Sequence, residues 1–169
     1  MTPFTKLRAL ALDVDGVLSD GRLYYGNNGE ELKTFNIRDG LGIKLLQKAG
    51  VSVAIITGRN SNIVARRAQE LGIEHIIQGR EDKLSALTEL CTQLNLDLSQ
   101  VAYMGDDLPD RKAIIAAGFG TTVADGSEDV KAVADWCSSK PGGSGAVREL
   151  AETWLKSTGV WDDLVEQQA

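Results

Sequence analysis

The chain has 169 residues and 43% hydrophobic content, the size and composition of one globular domain with a full core. Its formal charge of −6 excludes the dense positive surface on which polyanion binding rests, so no nucleic-acid partner is expected. The longest apolar runs, such as 51–56, fall far short of the roughly 20 residues of a membrane-spanning helix, so no membrane partner is expected either.

In chain order, residues 9–14 read as a first buried strand. Residues 22–25 and 31–35 are strand-like and flank Asn27-Asn28-Gly29, a strong turn signal, which predicts a β-hairpin inserted over about 22–35. Helical spacing over 41–49, 63–71, 84–94 and 111–117 then alternates with strand-like runs at 51–57, 75–78, 101–105 and 121–125. Three of these helices stop at Gly50, Gly72 and Gly118, glycine being the residue that most easily turns left-handed at a helix end. The segment 142–145 reads as a loop before an amphipathic helix over 147–155, and a tail follows over 159–169. Repeated βαβ units predict one α/β domain spanning 1–169: a Rossmann-like parallel sheet with helices on both faces, an inserted hairpin and no cap domain.

With His75 the single histidine, and with Cys91 and Cys137 in no framework spacing, carboxylates must carry any chemistry. The two cysteines read as small packing residues, and His75 as structural. Residues 1–8 lack the apolar core of a secretory signal, so the expected location is the cytoplasm.

Ligands of an open α/β sheet bind beyond the carboxyl ends of its strands. There the first strand ends in Asp13-Val14-Asp15-Gly16, the second in Thr57-Gly58-Arg59, and the fourth in Gly105-Asp106-Asp107 with Asp110 just beyond; Lys83 opens the helix between them. Singly, each piece is weak: an acidic residue after a strand is more often a cap or turn former, and a lone lysine a solvated surface residue. Their joint order is what points to a site.

The residue types fit phosphoryl transfer. A phosphate monoester repels an attacking carboxylate, so the site needs a cation and donors on the non-bridging oxygens. Asp13 and Asp106 suit Mg²⁺, a hard ion that takes one or two carboxylates, and a second oxygen of Asp13 remains for in-line attack. Thr57 and Lys83 can hold phosphoryl oxygens, and Asp15 can protonate the leaving alkoxide and later activate water. Arg59, Arg67 and Lys44 form a cationic rim suited to a substrate bearing both carboxylate and phosphate. The alternative for Arg66 and Arg67 is an ordinary solvated helix face.

These motifs resemble the four signature motifs of the haloacid dehalogenase superfamily, over most of the chain. More narrowly, the run Asp13-Val14-Asp15-Gly16-Val17-Leu18-Ser19-Asp20-Gly21, then Gly29-Glu30-Glu31, Arg38-Asp39-Gly40 and Gly143-Ser144-Gly145-Ala146-Val147-Arg148-Glu149, resembles the superfamily's capless sugar-acid phosphatases. The resemblance implies a phosphorylated sugar acid as substrate and the backbone carbonyl of Asp15 as a third protein ligand to Mg²⁺. It also implies that Asp15, Asn36, Ile37, Arg38, Asp39, Gly40, Lys44, Gly58, Arg59, Arg67 and Lys83 face the substrate. Members vary at the positions of Ser144 and Lys44. A homotetramer built around the hairpins is implied as well, with the tail, through Trp161, Leu164 and Val165, reaching a neighbouring subunit's active site to help close it.

Other readings keep parts of this pattern. A phospho-accepting receiver domain has its phosphorylated Asp on the third strand, whereas here Asp-x-Asp comes first and Gly-Asp-Asp last. A non-catalytic regulatory or oligomerising module of the same fold would not need both Asp13 and Asp15. A dehalogenase would not need the acidic cluster from Asp106 to Asp110. Between eight-carbon and nine-carbon sugar acids the residues alone do not choose.

Overall fold

The computed structural model describes residues 2–167. A six-stranded, wholly parallel sheet is built from β1 (Ala9–Leu12), β4 (Ser52–Ile56), β5 (His75–Ile77), β6 (Val101–Met104), β7 (Phe119–Thr122) and β8 (Trp136–Cys137), in the order β5-β4-β1-β6-β7-β8. The hairpin of β2 (Tyr24–Tyr25) and β3 (Glu31–Leu32) stands apart as a two-stranded antiparallel ribbon, with Tyr24 opposite Leu32 and Tyr25 opposite Glu31. The expected Rossmann-like architecture with its inserted hairpin is thus the one found.

Strand alternation divides the core in two. Leu10, Leu12, Val53, Ile55, Ala102 and Met104 point to one face. There they meet Ile43 and Leu46 of α1 (Ile37–Lys48), Val64 and Ala68 of α2 (Asn62–Leu71), and Leu150 and Trp154 of α6 (Ala146–Ser157). Ala9, Ala11, Ala54, Ile56 and Tyr103 point to the other face, against Leu87 and Leu90 of α3 (Lys83–Leu94), Ile114 of α4 (Arg111–Ala116) and Val130 of α5 (Glu128–Lys131). Strands apolar on both faces are what a parallel sheet covered by helices requires.

Some boundaries differ from expectation for identifiable reasons. Strand β7 begins at Phe119, ahead of the expected 121, and β8 was not foreseen because two residues carry no readable period. Gly72 caps α2 in the left-handed conformation, as expected. Gly118 does not: it is needed because a Cβ there would collide with the backbone of Ser99.

The tail also departs from expectation. Residues Trp161–Glu166 form α7, whose Leu164 is buried in the core, while Trp161 lies under Arg148 and Lys156 of α6, at 5.4 and 5.0 Å from the ring centroid. Trp161 and Leu164 therefore dock on their own protomer, while Val165 is exposed. Residues 168 and 169 of that tail lie outside the described residues.

Candidate active site

Strand β1 is where the strand order reverses, since its neighbours β4 and β6 lead the chain to opposite sides of the sheet. A crevice opens beyond the carboxyl ends at such a point. The segments after β1, β4, β5 and β6 line a cleft of about 300 Å³ that holds Asp13, Asp15, Thr57, Gly58, Arg59, Lys83, Asp106, Asp107 and Asp110. Residues distant in sequence meet here because each leaves its strand at the same edge.

Asp13 is buried, and its Oδ1 accepts two hydrogen bonds of 2.8 Å, from the Val14 amide and from the Lys83 ammonium. Those contacts leave Oδ2 free of protein donors among the described residues. Lys83 is buried too and donates also to the Ile56 carbonyl at 3.0 Å, with Asp110 Oδ1 at 3.3 Å. Burial works to lower its pKa, yet Asp13 and Asp110 outweigh it and hold the ammonium above its ordinary value. The sequence assigned Lys83 to the phosphoryl oxygens; in this structure its ammonium lies on the Asp13 carboxylate, which it orients and charge-balances.

Asp110 spends its carboxylate on the protein. Oδ1 accepts the Tyr103 hydroxyl at 2.6 Å, and Oδ2 accepts the amides of Asp106 and Asp107 at 3.0 and 3.2 Å, which shapes the loop that presents Asp106. Asp107 is exposed and caps the 3₁₀ turn Leu108–Asp110. The carboxylate oxygens of Asp13, Asp106 and Asp110 can all lie within 4.8 Å of one another. Burial and repulsion from Asp110 push Asp13 up to about 7 against the pull of Lys83, and burial with repulsion from Asp13 and Asp110 pushes Asp106 up to about 8. Crowded carboxylates that resist ionising alone are what a divalent cation stabilises. The donor set is all oxygen, which suits Mg²⁺.

The remaining expected residues separate. Asp15, Gly58 and Arg59 line the catalytic cleft with Lys83. Asn36, Ile37 and Arg38 line a different, open groove of about 910 Å³ that also runs past Ser144 and Arg148. Asn36 is there as the N-cap of α1, its side chain accepting the Arg38 amide at 2.8 Å.

Asp39 and Gly40 line neither cleft. Asp39 is buried, accepting the amides of Arg148 at 2.8 Å and Gly145 at 3.3 Å, so it ties α1 to the start of α6. Gly40 is buried where a side chain would strike Arg67. Lys44 is exposed on α1 and lines neither cleft, and Arg67 stacks on Phe35 at 5.9 Å and pairs with Glu70 at 3.3 Å. Of the expected cationic rim, only Arg59 is at the catalytic cleft. The others belong to helix faces whose direction depends on how α1 and α2 pack.

The sequence reading missed two hairpin residues. Lys33 forms an ion pair with Asp15, and Glu31 lies 3.6 Å from Arg59. The alternation of residues 31–35 puts Glu31 and Lys33 on one face. Which way that face looks is set only by how the ribbon folds back.

Fold and site together define a haloacid dehalogenase-type hydrolase, with an Asp-x-Asp pair after the first strand and an acidic cluster after the strand beside it. The haloacid dehalogenase-like hydrolase family model matches residues 73–150. The 3-deoxy-D-manno-octulosonate 8-phosphate phosphatase KdsC of Salmonella typhi is 45% identical, over 96% of this chain and 87% of that protein. The crystal structure of the Moraxella catarrhalis 3-deoxy-D-manno-octulosonate 8-phosphate phosphatase, in complex with magnesium, phosphate and KDO, superposes with TM-score 0.97 at 48% identity, covering 99% of this chain and 96% of that one. The cobalt-bound form of the Haemophilus influenzae deoxy-D-mannose-octulosonate 8-phosphate phosphatase superposes with TM-score 0.90 at 41% identity, over 94% of this chain and 92% of that one. The chain belongs to the 3-deoxy-D-manno-octulosonate 8-phosphate phosphatase family of haloacid dehalogenase-like hydrolases.

Proposed function

We propose that the chain hydrolyses 3-deoxy-D-manno-octulosonate 8-phosphate to 3-deoxy-D-manno-octulosonate and phosphate, a step in lipopolysaccharide precursor biosynthesis. The observation that carries the chemistry is the Asp13 carboxylate, with Oδ1 held by Lys83 and Val14 and Oδ2 left open beside Asp106. The choice of sugar acid rests on the relatives named above. A nine-carbon sugar acid phosphate is the second reading.

Asp13, Asp106 and the carbonyl of Asp15 would hold Mg²⁺. Bound there, the ion would neutralise phosphoryl charge and let the two carboxylates ionise together. Asp13 attacks phosphorus through its free oxygen, forming an aspartyl-phosphate as the bond to the sugar C8 oxygen breaks. Asp15 gives its proton to that departing oxygen, then takes one from the water that attacks the phosphoryl group, which releases phosphate and restores Asp13. The Thr57 hydroxyl accepts only a long bond, 3.4 Å from the Arg59 amide, so its own proton is available to a phosphoryl oxygen. Arg59 stands at the mouth of the cleft, half-exposed, where it can pair with the substrate's carboxylate.

One domain, a cytoplasmic location and a homotetramer complete the reading. Asn36, Ile37 and Arg38 would meet a substrate only across a subunit contact, and Ile37, Leu32 and Tyr25 are exposed apolar residues of the kind such a contact buries. The test is turnover with Mg²⁺ against a panel of phosphorylated sugar acids, with molecular mass measured in the same buffer. A higher kcat/KM for the nine-carbon substrate would reassign the sugar, and a fully active monomer would remove the assembly.

A further inference from the structure

The hairpin is out of keeping with ordinary strand patterning: Leu32 is 65% exposed, while the side chain of the next residue, Lys33, is only 2% exposed. Burying an ammonium is costly unless it is paired. Its partner is Asp15 Oδ1, the only protein hydrogen-bond partner of the Lys33 ammonium among the described residues. The same ribbon face carries Glu31, beside Arg59, and Tyr24 on the opposite face donates to Asp20 Oδ2 at 2.5 Å. A two-stranded ribbon is marginal alone, and this one shares no ladder with the main sheet. Polar contacts to the catalytic loops hold it in register, and Lys33 makes the one that reaches the proton-transferring carboxylate.

We propose that Lys33 is a positioning residue: the hairpin delivers its ammonium to hold the Asp15 carboxyl group toward the departing oxygen. This rests on the reading of Asp15 as general acid and base. Lys33 gains and loses no proton in the cycle; Asp15 gives one to the leaving oxygen and recovers one from water. Asp15 is 24% exposed at its side chain, so without Lys33 it is free to turn to solvent. Hairpin placement thereby becomes a condition of proton transfer, in a fold that has no cap domain to impose one.

The test uses the full chain with Mg²⁺ and p-nitrophenyl phosphate, whose leaving group departs without a proton, beside the sugar acid phosphate. Lys33→Met should lower kcat on the sugar substrate about 10- to 100-fold, part of the 10²–10⁴ that acid–base catalysis supplies, with KM within about twofold. With p-nitrophenyl phosphate it should give a burst of one product per site followed by slow turnover, because the water step still needs Asp15. Lys33→Arg should recover most of the loss. An unchanged kcat, or a rise in KM alone, overturns the proposal, and so does a crystal structure of Lys33→Met with Asp15 in its original rotamer. Should Lys33→Met not fold, Lys33→Gln takes its place in both measurements. A wild type that hydrolyses p-nitrophenyl phosphate but no sugar acid phosphate would defeat the substrate reading and leave this inference standing or falling on the burst and the rotamer.

Discussion

Gly16 and Asp106 approach so closely that a Cβ on Gly16 would overlap the Asp106 carboxylate, and Gly16 itself sits at φ +90°, where side chains are strained. The second strand-end carboxylate thus reaches Asp13 through space that only glycine leaves open. Gly16→Ala should cost about 1–2 kcal/mol in stability from backbone strain. It should also displace Asp106, weakening activation by Mg²⁺ by at least about tenfold and lowering kcat. Mg²⁺ titration of activity, alongside a thermal melt, separates the two effects; a lower melting temperature with unchanged Mg²⁺ dependence would show that Asp106 does not need the gap.

Asp13→Asn should abolish turnover, since an amide is neither nucleophile nor anionic ligand. Asp15→Asn should retain a slow first half-reaction and accumulate phosphoenzyme, because the water step loses its base. Intact-protein mass spectrometry after mixing with substrate reads this directly: an added phosphoryl mass on Asp15→Asn and none on Asp13→Asn. Near-normal steady-state activity of Asp13→Asn would remove the covalent mechanism.

In the ion-free fold, burial and mutual repulsion push Asp13 up from an ordinary 3.8 to about 7 and Asp106 to about 8. A carboxyl raised in this way favours the folded state while protonated, so its contribution is complete below about pH 4 and is lost as pH climbs through 7 to 8. Chelated protein should therefore lose stability across that window. Added Mg²⁺, which competes with those protons, should stabilise little at pH 5.5 and several degrees more at pH 8. Melting temperatures with Mg²⁺ or chelator at the two pH values check it; a Mg²⁺ shift independent of pH would detach the ion from these carboxylates.

A chain ending at Ser157 removes α7 and with it the buried Leu164 and the Trp161 ring under Arg148 and Lys156. Burial of a leucine is worth about 1.5–3 kcal/mol, which for a domain of this size is about 3–12 °C in Tm. The docked tail thus predicts a stability loss with kcat and KM close to wild type in the folded fraction. A fall in kcat with Tm unchanged would instead return the tail to a neighbour's active site.

The convergence of Asp13, Asp15, Thr57 and Asp106 in one cleft was legible in the sequence because its parts are local: each ends an apolar run, and a parallel sheet brings such ends together whatever the loops do. Period and length located the helices for the same reason, each being a property of neighbours in the chain. What the tertiary structure alone decided is direction. The resemblance implies that Asp39 faces the substrate, yet the packing of α1 against α6 turns its carboxylate to accept the Arg148 amide. Lys44 and Arg67 are cations on helices, and only the rotation of those helices puts them outside the cleft that holds Arg59. Lys33 drew no reading from the sequence, and its side chain is buried on Asp15 because the ribbon folds back over the first loop. Periodicity states which residues share a face, but where that face points is fixed by contacts between segments far apart in sequence, and no local pattern encodes those.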